Sequence, residues 1–338
     1  MVFIEHFKNR IHAFLNRKVA VILTYHSVVD CPLGFDLWTH IPLERFEQHM
    51  ALLAREANVI SLKELVAGLQ RGNLPEYSVV ITFDDGFGNN YFRAFPVLKK
   101  YNLPASIFLS TGFIGTDNLF WPERLAYALM KTASDHLDLS GRIFPLSNMI
   151  ERRNAYIALR DKLKRLHPAD LDQELSRLES TFGVPIDLED PLFKEWRPLM
   201  WNQVQEMSNS GLVDFGGHTV DHHILSRLTE AEAKDQIVRC RRTLDKYLTP
   251  PVSLWAYPNG TTDDFDEAHA AFIAKQGFST ALTTNQEYND TDSLPHRLGR
   301  WGIGSTAREK ELRVILAKRS QFRRRMEAPK QLVLLRKG

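Results

Sequence analysis

Val79-Val80-Ile81-Thr82-Phe83-Asp84-Asp85-Gly86 is an apolar, β-branched run that stops on two carboxylates and a glycine. A short run of this kind, bounded by turn residues, reads as a buried strand. Similar runs stand at 19–25, 105–109, 213–215, 252–257 and 280–283. Helical patterns lie between them at 43–56, 61–69 and 229–247, the last two opened by capping boxes, Ser61 with Glu64 and Thr229 with Glu232. Strands alternating with helices predict an α/β fold with a mostly parallel sheet. In such folds catalytic side chains gather at the C-terminal ends of strands, where Asp84 and Asp85 stand.

The rhythm breaks between about 121 and 200. Helical patterns at 122–131, 151–166 and 169–182 follow one another there with no convincing strand, and Pro185, Pro191 and Pro198 punctuate the return to the sheet. The stretch is expected to be a helical insertion. The predicted organisation is an amphipathic helix at 1–18, a barrel at 19–306 carrying the insertion at about 121–200, and a basic helix or tail at 307–338.

The 338 residues can bury a sizeable core, and 43% hydrophobic with 25% charged residues excludes collagen-like, low-complexity and largely disordered classes. Cys31 and Cys240 build neither a disulfide framework nor a Cys-based zinc signature. No stretch approaches a membrane span, and Glu5, Lys8 and Arg10 interrupt the N-terminal segment where a signal peptide needs an apolar run. A cytoplasmic location is therefore expected. The net charge of +2 calls for no nucleic acid. Lys318, Arg319, Arg323, Arg324 and Arg325, with an apolar face at Phe3, Phe7 and Ile11, would allow peripheral contact with an anionic membrane face.

Three further strings carry chemistry. Gly216-Gly217-His218-Thr219-Val220-Asp221-His222 follows an apolar run. If the chain turns helical there, His218 and His222 share one face about 5–6 Å apart, close enough to hold one ion. With a strand-end aspartate they supply the two imidazoles and one carboxylate of a metal site that keeps open positions. Trp255-Ala256-Tyr257-Pro258-Asn259-Gly260 ends a strand in a turn whose N–H groups near Tyr257 or Asn259 could meet an oxyanion. Its aromatic residues, with Trp301, are candidate walls for a sugar ring or an acetyl methyl. His26, in Leu23-Thr24-Tyr25-His26-Ser27, is a candidate proton donor.

In order, Thr-Phe-Asp-Asp-Gly, His-Thr-x-x-His and Tyr-Pro-x-Gly resemble the polysaccharide deacetylases, carbohydrate esterase family 4 with the nodulation-type (NodB) homology domain. The resemblance spans about 19 to 303 and implies a distorted, TIM-like (β/α)7 barrel. It implies a hydrolase that removes acetyl from N-acetylated amino sugars, with Asp84 as general base and Asp85, His218 and His222 as ligands of a divalent metal, Zn²⁺ by preference. His26 matches the branch whose catalytic acid is a histidine near the N-terminus. Ala256 occupies the position of the family's base-orienting arginine, and Arg300, in Leu298-Gly299-Arg300-Trp301, is the expected substitute. His296 is the nearest match to the family's C-terminal histidine.

The expected partner is a glycan or a lipid-linked glycan. Three competing functions remain at this point. A deformylase or deacetylase of a lipid-linked sugar would use the same machinery, a silent glycan-binding protein would lack a ligand or the base, and a nucleotide-sugar glycosyltransferase would leave both histidines without a role. Oligomeric state is not legible.

Overall fold

A computed structural model describes residues 18–30, 34–139, 141–249 and 251–317. Residues 1–17 of the helix predicted at 1–18, Cys31 and the basic cluster from Lys318 onward lie outside the described residues. In chain order the strands are β1 (Val21–Tyr25), β2 (Ser27–Val29), β3 (His40–Pro42), β4 (Asn58–Val59), β5 (Ser78–Phe83), β6 (Ala105–Leu109), β7 (His136–Leu139), β8 (Arg142–Pro145), β9 (Val213–Gly217), β10 (Leu254–Ala256), β11 (Thr280–Leu282) and β12 (Trp301–Gly302).

One parallel sheet runs β11-β10-β9-β6-β5-β1-β12, with β4 added along the start of β5. It curls on itself. Trp301 and Gly302 pair with Leu23 and Thr24 of β1, and three residues earlier Leu298 bridges Leu282 of β11. One short segment thus links both ends of the path, giving a distorted α/β barrel flanked by helices.

Strand parity divides the barrel into two layers, because successive side chains on a strand face opposite sides. Ala20, Ile22, Val80, Phe108, Leu254, Leu282 and Leu298 pack together inside, with Leu62 and Leu65 of the helix Leu62–Arg71 against them. Val21, Leu23, Tyr25, Val79, Ile81 and Phe83 face outward into the helices, Phe46 and Leu53 among their neighbours. Toward the C-terminal ends of the strands the inward series turns polar. Thr24 hydroxyl meets Thr82 hydroxyl at 3.1 Å, and Asp84 follows Val80 and Thr82 on the same parity.

The helix at Leu43–Glu56 has its expected bounds, and both predicted capping boxes form, at Ser61 and at Thr229. The insertion has its own core, built from Leu125, Leu129, Leu159, Leu175, Leu178 and Trp196. Its helices, Trp121–Lys131, Met149–Leu163 and Pro168–Phe182, match the expected ones to within a few residues. The expectation that this stretch lacks strands is corrected by the antiparallel hairpin β7-β8. Its four-residue strands are mostly exposed and turn through Gly141 at φ 86°, so no long alternating run announces them.

Among the described residues, no helix is long and apolar enough to cross a membrane.

Candidate active site

The inward parity of β5 delivers Asp84 to the mouth of the barrel, where it is buried. Continued alternation would send Asp85 to the opposite side. The backbone prevents this by turning into the left-handed region at Asp85, φ 75°, and Gly86, φ 90°. A Cβ at Gly86 would meet only the tips of the Leu109 and Ile114 side chains, at 2.8 and 2.9 Å, so it is the φ that calls for glycine. Two adjacent carboxylates thereby serve one site.

His218 and His222 arrive from the loop after β9. This loop is not the helical turn expected from their spacing. Thr219 and His222 adopt positive φ, 63° and 57°, and the irregular turn places the two rings 5.0 Å apart. Left-handed backbone costs a non-glycine residue about 1 kcal/mol or more, a strain usually tolerated where the geometry serves a function.

Asp85 Oδ1 lies 3.5 Å from His218 Nε2 and 3.1 Å from His222 Nε2, and the three donor atoms fall within 4.8 Å of one another. Asp85 Oδ1 makes no hydrogen bond despite that closeness. Such contact without alignment fits lone pairs converging on a common centre. The His218 Nδ1–H donates to the Ala256 carbonyl at 2.8 Å, which leaves Nε2 free to coordinate. Two imidazoles and one carboxylate, close and nearly buried, form a donor set that suits a divalent cation with room for further ligands.

Asp84 belongs to a different arrangement. Arg300, fully buried on the inward parity just before β12, grips it with two parallel bonds, Nη1 to Oδ1 at 2.7 Å and Nη2 to Oδ2 at 2.8 Å. Arg300 Nε donates to the Thr283 carbonyl at 2.9 Å, fixing the fork from behind. Burial works to raise the Asp84 carboxyl, but the charges of Arg300 and His218 outweigh it and hold the group below its usual range. For Asp85, burial is likewise overcome by the neighbouring imidazoles of His222 and His218. His218 is displaced the other way, since the charges of Asp84 and Asp85 overcome the burial that would lower it.

His26 flanks this cluster, near enough for its proton affinity to respond to Asp85, Asp84, Arg300 and His218. Burial dominates and lowers its pKa. Two asparagines beyond the aspartate pair hold its segment in place. Asn89 accepts from the Val28 N–H at 3.0 Å and donates to Ser27 Oγ at 2.7 Å, while Asn90 donates to the His26 carbonyl at 2.7 Å. Asn90 begins a five-residue π-helical turn, a form often found beside functional sites. Sequence reasoning passed over both residues, although their place directly after Asp-Asp-Gly-Phe-Gly was a signal.

Parity removes the expected aromatic walls. Ala256 and Arg300 face inward, so Trp255, Tyr257 and Trp301 face outward. Trp255 packs on Phe278, Tyr257 stacks on Phe265 with ring centroids 3.7 Å apart, and Trp301 lies against Tyr288. The Tyr257 N–H is also spent on the Leu282 carbonyl at 3.1 Å, which excludes it as an oxyanion donor. Asn259 sits in the turn at φ 59°, its side chain bonded to Asp264. The N–H of Asn259 has no acceptor among the described residues. His296 Nε2–H donates to the Phe278 carbonyl at 2.8 Å, and the residue is not brought to the cluster.

Two residues enter that sequence reasoning missed. Trp38, half exposed, stands edge-on to His26 with centroids 5.8 Å apart. Its indole rests so closely on Gly304 that a Cβ there would fall 2.2 Å from Nε1. Glu123 is buried in the first turn of its helix, where desolvation, aided by the charge of Asp85, pushes its carboxyl up to about 8. Neither carried a motif.

A cleft of about 890 Å³ opens from His222 and Phe120 into the insertion, reaching Lys164, Leu171 and Val184. The metal-competent cluster therefore meets solvent beside the inserted helices.

The family model described as polysaccharide deacetylase matches residues 71–280. A poly-beta-1,6-N-acetyl-D-glucosamine N-deacetylase of Staphylococcus epidermidis is 46% identical over 67 residues, 20% of this chain and 23% of that protein. The chain spans less than half the length of the curated relatives it matches. Among solved structures, the Streptococcus pyogenes deacetylase PplD in complex with acetate superposes with a TM-score of 0.60 at 18% identity, covering 89% of this chain and 99% of that one. IcaB from Ammonifex degensii superposes with a TM-score of 0.57 at 20% identity, covering 89% and 97%. At these identities the superpositions establish the fold alone.

Proposed function

The chain belongs to the polysaccharide deacetylase family, and from that premise we propose that it hydrolyses the N-acetyl group of an amino-sugar residue in a glycan, releasing acetate. The observation that carries the reading is the convergence of Asp85, His218 and His222 beside an Asp84 carboxylate clasped by Arg300. A divalent ion held by those three ligands, Zn²⁺ in our reading, supplies Lewis acidity toward water and toward the amide carbonyl.

The residues of the chain divide the remaining work. Asp84 is kept ionised by Arg300 and takes the proton of the attacking water. Because Arg300 occupies one direction at each carboxylate oxygen, the carboxylate cannot rotate away, and its remaining lone pairs keep a fixed aim. The Asn259 N–H is the candidate donor to the oxyanion. A donor of this kind contributes about 3–4 kcal/mol where its loss has been measured.

His26 is our choice for the proton carrier to the departing amine, as in the branch with an N-terminal catalytic histidine. Its lowered pKa makes it neutral at pH 7, so it must accept a proton before it delivers one. Over one turnover the proton that Asp84 takes from water must be passed on to His26 and from there to the sugar nitrogen, while the second water proton leaves with the acetic acid, so the carboxylate and the neutral imidazole are both regenerated.

The reading is tested by metal analysis joined to an acetate assay on N-acetylglucosamine oligomers. About one divalent ion per chain is expected, with Asp84→Asn retaining it and losing turnover. Acetate release by Asp84→Asn at the native rate would remove Asp84 from its role. Failure of the native, metal-loaded chain to release acetate from any N-acetylated sugar, oligomeric or diphosphate-linked, would remove the reading itself.

A further inference from the structure

The cleft that leads away from His222 has a basic wall that the reaction above does not use. Lys164 caps the inserted helix Met149–Leu163, and Arg227 ends the short 3-10 turn Leu225–Arg227 that follows the histidine motif. Both line the cleft, together with His222 and His223. Both are partly buried. Neither side chain has a hydrogen bond or a carboxylate partner among the described residues, and Arg227 Nε is out of contact with water and without an acceptor.

The other charges in the cleft are accounted for differently. Arg124 is committed to Glu179 by two bonds, at 2.9 and 2.7 Å. Asp221 accepts from Gln236 at 2.7 Å. Asp264, whose charge Lys164 senses, accepts at Oδ2 from Asn259, the Thr261 N–H and the Thr261 hydroxyl, which hold it to its own turn. Asp117 and Asp172 also line the cleft, but they are exposed and screened by water. Arg227 Nε is withdrawn from water without an acceptor, and half-buried Lys164 is a second cation on the same wall with no carboxylate of its own, an arrangement that an anionic ligand would complete.

We propose that Lys164 and Arg227 form a subsite for a phosphoryl group carried by the substrate, at a distance from the acetamide that the cleft bridges. The inference rests on the deacetylase reading for what occupies the metal end. A phosphoryl group is favoured over a sugar hydroxyl because two positive charges with free donors match an oxyanion of up to two negative charges. A guanidinium fork beside a point-like ammonium is a common way to hold one. The helical insertion then has a purpose, since it brings Lys164 to a barrel that already supplies Arg227.

The first test uses inorganic pyrophosphate titrated into the chelator-treated full chain, so that neither metal nor turnover enters. Binding is expected, weakened about tenfold in Arg227→Gln and in Lys164→Gln, and retained in Arg227→Lys and Lys164→Arg, with circular dichroism showing that all four variants are folded. No binding by the native chain, or equal binding by the neutral variants, overturns the subsite.

The second test compares acetate release from an uncharged N-acetylglucosamine oligomer with that from two diphosphate-linked N-acetylated sugars. One is joined to a soluble nucleotide and the other to a polyprenyl lipid in neutral vesicles. A preference in kcat/KM for either charged substrate that collapses in Arg227→Gln supports the subsite and identifies the source of the phosphoryl group. No preference in either arm overturns it as a substrate site. If no substrate yields acetate while pyrophosphate still binds through Arg227, the deacetylase reading fails and the anion subsite stands.

Discussion

The mouth of the barrel and the core of the insertion are built on opposite principles. At the mouth, Asp84, Asp85, His218 and Arg300 are withdrawn from water within one cluster, and Asp85, Thr219, His222 and Asn259 all take left-handed backbone. In the insertion, Leu125, Leu159, Leu175 and Leu178 pack with Trp196 in an ordinary apolar interior, where left-handed turns fall mainly at glycines such as Gly141 and Gly183. The contrast shows where this chain accepts cost for chemistry and where it merely gathers apolar surface. Mutations should therefore separate the two regions by what they damage.

The largest effect is expected at the ligands. Asp85→Ala should leave acetate release at background and the metal content near zero, while the melting temperature changes far less than activity. Loss of folding on the scale of the lost activity would erase the contrast.

Arg300→Leu comes next. It removes one partner of a buried pair and leaves Asp84 unmatched, which typically costs about 3–5 kcal/mol. Urea unfolding should record that loss. The double variant Arg300→Leu with Asp84→Leu should recover part of it without recovering turnover.

In the insertion, Leu178→Ala should cost about 2–5 kcal/mol through the cavity it opens, with little change in the metal bound per folded chain. An equal loss of bound metal would show that the two regions are one mechanical unit.

Glu123 lies where they meet, and its effect depends on pH. Its folded pKa, about 8, stands above the ordinary 4.5, so between those values the folded state holds the extra proton. The stabilisation is complete below about pH 4.5 and is lost as pH rises through 8, a change on the order of 4–5 kcal/mol over the full window. Glu123→Gln should flatten the melting temperature between pH 5 and pH 9. The smallest effect is expected at Thr229→Ala, which removes one half of a capping box at about 1 kcal/mol and should leave the site unchanged.

Much of the site was legible because its residues stand at the ends of strands, and strand ends are visible as apolar runs that stop. Asp84, Asp85, His218 and His222 were found that way, and the capping boxes marked helix starts for the same local reason. What escaped depended on parity or on distance along the chain. Trp255, Tyr257 and Trp301 stand beside the motifs along the chain, yet alternation sends each of them to the outer layer. The turn at His218 to His222 was expected to be helical on spacing alone, and only the φ values of Thr219 and His222 show how else two imidazoles can meet. Lys164 and Glu123 had no motif, since their significance lies in what surrounds them in space.

The clasp on Asp84 has a consequence for the birth of the protein. The carboxylate is made early, 216 positions ahead of the guanidinium that grips it. During synthesis all the other strands of the sheet emerge while Asp84 has no guanidinium, and the grip closes only when β12 leaves the ribosome and pairs with β1. A nascent or C-terminally clipped chain thus carries the Asp85, His218 and His222 cluster yet lacks the pairing that fixes Asp84, so the proposed activity should arrive only with the last piece of the wall.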